Sequence, residues 1–264
     1  MTINSAAPDT ARAAPRAILI TGASSGIGAA LALAYAAPGV TLSLTGRDPI
    51  RLAGVANEAR ARGADVTTGI VDASDQDAMG AFIAQRDAAR ALDLVIANAG
   101  IAVPGGRLND LDRLTRQVFA TNIDGVLNTI HPAIAAMLPR GRGQIAIIGS
   151  LAGFRGLPSA PAYAASKAAV RSYGEGLRTP LARRGIRLSV VAPGFVRSGI
   201  TARNRFPMPF LMDADRAAAI IMRGLAANRG RIAFPFPTYA GAWLLNALPN
   251  WLAEKLTAGM PDKI

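Results

Sequence analysis

Tyr163 and Lys167 stand four residues apart in Tyr-Ala-Ala-Ser-Lys, and Ser150 lies thirteen residues before the tyrosine. If the segment is helical, the phenol and the ammonium share one face. The lysine is conspicuous because the chain holds three lysines against 26 arginines. A compact ammonium with rotatable N–H donors does chemistry that a planar guanidinium does not, so its use here points to function. A free tyrosine ionises near pH 10, and bringing it toward 7 takes roughly 4 kcal/mol of phenolate stabilisation, for which a neighbouring ammonium is a source. Hydride reduction of a carbonyl leaves an alkoxide, which needs one proton donor and one hydrogen-bond donor. Tyr163 and Ser150 supply those two groups.

Other chemistries are excluded by composition. There is no cysteine, and so no disulfide, thiolate nucleophile or thiolate metal site. The single histidine, His131, falls in an apolar helical stretch and reads as structural, which leaves no histidine triad and no metal centre. The formal charge is +12, yet the arginines are scattered and not interleaved with aromatics, so no nucleic-acid partner is expected. Residues 1–15 are small and polar with no apolar core, which reads as a disordered N-terminal extension and not a secretion signal; a cytoplasmic location follows as the expectation.

Positioning a serine, a tyrosine and a lysine from distant parts of a chain calls for a rigid frame. Short apolar runs at 17–21, 40–45, 65–71, 92–97, 143–149, 186–192 and 231–234 alternate with amphipathic stretches at 26–37, 49–62, 75–88, 107–138, 161–184 and 213–228. This is the signature of an α/β fold: one doubly wound, Rossmann-type parallel sheet of about seven strands with helices on both faces. No linker or internal repeat divides it, and the domain is expected to run over 16–237.

The first strand leads into Thr-Gly-Ala-Ser-Ser-Gly-Ile-Gly, with Gly22, Ser24, Ser25, Gly26, Ile27 and Gly28 forming a candidate phosphate loop. Gly22 permits the tight turn, Gly26 lets a pyrophosphate approach, and Gly28 allows the helix to lie close on the sheet. The second strand ends at Gly46-Arg47, where an NAD-selective site would carry a carboxylate; an arginine can hold a 2′-phosphate, so NADP(H) is favoured over NAD(H), with Asp48 one step too late. Asp72 and Asn98-Ala99-Gly100 follow the third and fourth strands, where such a sheet binds its ligand.

Taken together, Thr21–Gly28, Asn98-Ala-Gly100, Asn122, Ser150, Tyr163-x-x-x-Lys167 and Pro193-Gly194 resemble the short-chain dehydrogenase/reductase family in its roughly 250-residue branch, over about residues 16–200. One departure is Ala97, where many members carry a further asparagine. The resemblance implies Tyr163 as catalytic acid/base, Lys167 as its electrostatic partner and a ligand of the nicotinamide ribose, Ser150 as the carbonyl-binding hydroxyl, and Asn122 as organiser of a proton relay through a kinked helix. It also implies that Pro193, Gly194, Val196 and Ser198 hold the nicotinamide carboxamide, and that the chain forms a homodimer or homotetramer. Epimerase or dehydratase chemistry on the same fold, and a non-catalytic nucleotide-binding regulator, are the competing readings.

By position, residues 199–212 form a lid, and its Phe206, Met208, Phe210, Leu211 and Met212 suggest a hydrophobic carbonyl or alcohol as substrate. The tail, 238–264, is apolar but too short and broken to span a bilayer. It is expected to pack on the subunit, on a partner subunit, or on a membrane surface through Trp243 and Trp251.

Overall fold

The computed structural model describes residues 14–103, 110–203 and 207–258. Seven parallel strands, β1 (Ala17–Ile20), β2 (Thr41–Gly46), β3 (Asp65–Ile70), β4 (Leu94–Ala97), β5 (Gly143–Ile148), β6 (Ile186–Pro193) and β7 (Arg231–Phe234), form one sheet in the order β3-β2-β1-β4-β5-β6-β7. The order reverses between β1 and β4, which opens a crevice at the carboxyl ends of those strands. The central strands β1 and β4 are buried at every position, as continuous Ala, Ile, Leu and Val runs require, whereas edge strand β3 alternates.

One core lies beneath α1 (Gly26–Tyr35), α2 (Pro49–Ala61) and α7 (Ala214–Ala226), with Leu31, Leu52, Ala56 and Ile221 packed on Ile18, Leu42 and Ile96. The other lies beneath α3 (Gln76–Ala89), α5 (Gly125–Met137) and α6 (Pro161–Ala182), with Met79, Ile83, Ile130 and Val170 packed on Leu19, Val95 and Ile147.

The continuous helix expected over 107–138 is instead two helices. Helix α4 (Leu111–Phe119) runs into a π turn at Ala120–Asp124 before α5, and residues 107–109 lie outside the described part. The widened turn seats the fully buried Asn122, a residue an ordinary helix interior disfavours.

Among the described residues the tail forms two further helices, α8 (Phe236–Ala247) and α9 (Asn250–Thr257), which the sequence reading did not resolve. An inner stripe, Tyr239 and Ala242, packs on Leu151, Phe154 and Ala192 of the same chain. Phe236, Trp243, Leu244, Trp251 and Leu256 face outward, all more than half exposed. Among the described residues no helix is long and apolar enough to cross a membrane. Of the expected lid, 204–206 lie outside the described residues; its end is fastened by a bridge between Met212 and Val196.

Candidate active site

Strand β5 is followed by Gly149 and then Ser150, whose Oγ accepts from Ala152 N at 3.1 Å and opens a 3-10 turn, Leu151–Phe154. Tyr163 and Lys167 lie in the first two turns of α6, on the face the spacing predicts. The Ser150 hydroxyl hydrogen-bonds the Tyr163 hydroxyl, and Lys167 Nζ sits 5.8 Å from the centre of the Tyr163 ring. Lys167 is 4% exposed, and its ammonium donates to Ile148 O at 2.9 Å. Burial pushes this lysine down to about 8 and pushes the tyrosine up, the latter partly offset by the Ser150 hydrogen bond. Near neutral pH the protein alone therefore presents a neutral phenol, ready to give a proton, beside a mostly charged ammonium.

Asn122 stands behind this group. Its Oδ1 accepts from Ile101 N at 2.8 Å, and its Nδ2 donates to Ile101 O at 2.9 Å and to Ser166 Oγ at 3.0 Å. Ser166 in turn donates to Tyr163 O. Both amide hydrogens are thus taken up inside the protein, so the side chain fixes the Gly100–Ile101 segment to α6 and keeps at most one oxygen lone pair for a water. Asn122 Oδ1 and Lys167 Nζ would each lie 3.3 Å from a Cβ at Gly100, so only a glycine fits between them without displacement.

At the other end, the loop after β1 turns at Gly22 (φ +64°) and Gly26 (φ +57°), conformations that favour glycine. A Cβ on Gly28 would come within 2.4 Å of Gly22 O and 2.5 Å of Asn98 Nδ2, so Gly28 serves the close approach of α1 and does not line the cleft. Ser25, the N-cap of α1, makes no side-chain capping bond, leaving that helix start open to an anion. Thr21, not singled out from the sequence, ties the two strand ends together: its Oγ1 accepts from Asn98 N at 3.0 Å and Ala99 N at 3.1 Å, while Asn98 Nδ2 donates back to the carbonyls of Thr21 and Gly22.

Arg47 follows β2 with 56% of its side chain exposed and Nη1 3.6 Å from Asp72 Oδ2. Burial pushes the Asp72 carboxyl up, but donation from Ser74 N and Oγ, with Arg47 nearby, outweighs this and holds it below the usual carboxylate range. Asp48 is committed elsewhere: it caps α2, accepting from Arg51 N at 3.0 Å and Arg51 Nε at 2.6 Å. Arg51 also lines the cleft, and only its three-residue spacing from Asp48 could have flagged it.

A single cleft of about 710 Å³ takes in Gly22, Ser24, Ser25, Gly26, Ile27, Arg47, Asp72, Asn98, Ala99, Gly100, Ser150, Tyr163, Lys167, Pro193, Gly194, Val196 and Ser198. Of the candidate catalytic and cofactor residues named from the sequence, Gly28 and Asn122 alone lie behind its wall, and Met208, Phe210, Leu211 and Met212 of the expected lid do not line it. Thr201, a further missed lining residue, accepts from Ser198 N at 2.9 Å and donates to Val196 O at 2.8 Å, which fixes the loop after β6. His131 is exposed, 2.8 Å from the Tyr173 hydroxyl, and not part of the cleft. The open helix start, the close-approach glycines, an arginine at the β2 end and a cleft of ligand size fit a dinucleotide.

A family model described as short chain dehydrogenase matches residues 16–207. An uncharacterized oxidoreductase of Myxococcus xanthus is 39% identical over 244 residues, which is 90% of this chain and 95% of that protein. A short-chain dehydrogenase from Sphingobium yanoikuyae in complex with NADPH superposes with a TM-score of 0.78 at 26% identity, covering 94% of this chain and 97% of that one. A short chain dehydrogenase/reductase from Burkholderia phymatum in complex with NAD gives 0.79 at 26% identity, covering 91% and 95%. Matched over residues 16–207 of its 264, the chain belongs to the short-chain dehydrogenase/reductase family of oxidoreductases.

Proposed function

We propose that the protein is an NADP(H)-dependent oxidoreductase that interconverts a carbonyl and a secondary alcohol. The observation that carries this reading is the Ser150–Tyr163 hydrogen bond beside the buried Lys167, at one end of a cleft whose other end holds the phosphate loop and Arg47. When bound, the nicotinamide supplies or accepts the hydride. Ser150 holds the substrate oxygen. Tyr163 gives its proton to that oxygen in reduction and takes it back in oxidation, and Lys167 favours the phenolate left behind. Asn122 holds the Gly100–Ile101 wall against α6 and so keeps the space beside Lys167 constant in shape.

The preference for NADP(H) rests on two features: Arg47 stands at the end of β2, and the Asp48 carboxylate that could serve a ribose 2′-hydroxyl is already taken by Arg51. Ile101, Ala102, Val196 and Ile200 give the cleft an apolar wall, in keeping with a hydrophobic substrate. We further infer a homodimer or homotetramer in the cytoplasm. A regulatory role would leave the Ser150, Tyr163 and Lys167 constellation without use.

Fluorescence titration with NADPH and NADH, followed by cofactor oxidation with medium-chain aliphatic and aryl ketones and aldehydes, tests the proposal. Tight NADPH-selective binding and turnover are expected. Folded protein that binds neither nucleotide would remove it.

A further inference from the structure

The 3-10 turn that follows Ser150 is gripped from three sides. Gly153 lies so close on α6 that a Cβ there would stand 2.6 Å from the Lys167 carbonyl carbon. Arg171, one helical turn after Lys167, donates from Nη2 to Gly153 O at 3.3 Å. The Phe154 ring, 5% exposed, has two guanidinium groups over it, Arg171 at 4.7 Å and Arg231 at 5.5 Å from its centre. Glu175 holds both cations, at 3.4 Å and 2.6 Å. Arg171 Nε is buried with no hydrogen-bond partner among the described residues, so this guanidinium forgoes a bond in order to lie over the ring. Tyr239 of α8 completes the cluster, edge-on to Phe154 at 5.7 Å and with its hydroxyl 3.2 Å from Arg231 Nη1.

We propose that Phe154 is a positioning residue for Ser150, and that the cluster makes the C-terminal helix α8 part of the catalytic framework. Ser150 leaves β5 with its Oγ both capping this turn and meeting Tyr163. The turn's far end is anchored by the ring, so the direction of Oγ depends on where Phe154 is held. A ring held by two guanidinium groups tied to one carboxylate has a defined seat, whereas an aliphatic side chain there lacks the ring face that seats them. The inference rests on the proposed catalytic role of Ser150 and adds a second layer of support to it.

The test compares Phe154→Leu, Phe154→Tyr and Ser150→Ala, singly and combined, by NADPH oxidation across the ketone and aldehyde panel. Phe154→Leu should lower kcat about tenfold while KM and the NADPH Kd stay within about twofold, and Phe154→Tyr should restore kcat. In the Ser150→Ala background, Phe154→Leu should cost nothing further. A Leu variant with wild-type kcat, or one that loses the same factor again without Ser150, overturns the inference and leaves the site reading standing. Full turnover by Ser150→Ala, or none by the wild type across the panel, removes the site reading and the inference with it. If Phe154→Leu fails to fold, Tyr239→Leu at the rim of the cluster carries the same three readouts.

Discussion

Lys167 should be a liability to the fold and a necessity to the chemistry, and replacing it with methionine separates the two. A pKa falling from 10.5 to about 8 on folding corresponds, at 1.36 kcal/mol per pKa unit, to about 3 kcal/mol against the charged side chain. Methionine avoids that cost but leaves Ile148 O, now bonded at 2.9 Å, without its donor, a loss of about 1–3 kcal/mol. The balance is a gain of about 1 kcal/mol at pH 7, with turnover abolished. The sign of the pH dependence follows from the same numbers. The folded pKa lies below the unfolded one, so between about 8 and 10.5 the unfolded chain binds more protons at this residue, and stability rises with pH. From pH 7 to 9.5 the wild type should gain about 2 kcal/mol relative to Lys167→Met. Urea unfolding of both proteins across that range, read as the difference between the two curves, measures it and cancels the other titrations. A difference that stays flat, or a methionine variant less stable by several kcal/mol at pH 7, would refute the claim that a charged Lys167 is held against its burial.

Tyr163→Phe should abolish turnover while NADPH binding survives, as measured by cofactor fluorescence; an active Phe variant would take the phenol out of the mechanism. Arg47→Ala should weaken NADPH binding about tenfold or more with NADH little changed, because only the 2′-phosphate uses the guanidinium. Equal loss for both cofactors would show that Arg47 does not read that group. Asn122→Ala strands the Ile101 N–H and carbonyl and removes the bond that Ser166 Oγ accepts, and should cost about 2–4 kcal/mol in urea unfolding; a loss below about 0.5 kcal/mol would mean that the network contributes little to stability.

The sheet was legible because fully buried parallel strands must be continuous apolar runs, and β1 and β4 are. The glycines of the phosphate loop were legible for a related reason: a positive φ or a near-contact of backbone on backbone permits almost no other residue. Asn122 was half legible. A buried amide inside an apolar helix announces a break, and the π turn is that break, but the partners of the amide lie 21 and 44 residues away and leave no local trace. Arg51 and Thr201 went unnoticed because each acts through a neighbour three residues off, a spacing that ordinary surface pairs share. The tail helices were missed because Asn246 and Pro249 look like breaks, although Asn246 lies inside α8 and a proline just before a helix begins it.

The same contrast separates what the arginines do from what the lysine does. Arg171 and Arg231 lie over the Phe154 ring and share one carboxylate, which a planar, weakly hydrated cation tolerates with little loss. Lys167 has no carboxylate within salt-bridge distance among the described residues; its charge is met by a carbonyl dipole and a ring face. An acidic partner there would stabilise the ammonium and raise its pKa, but it would also cancel the field that favours a phenolate on Tyr163. The fold therefore carries an under-compensated charge at the one place where a compensated charge would be of no use, and the apparent defect in stability is the condition for the proposed proton transfer.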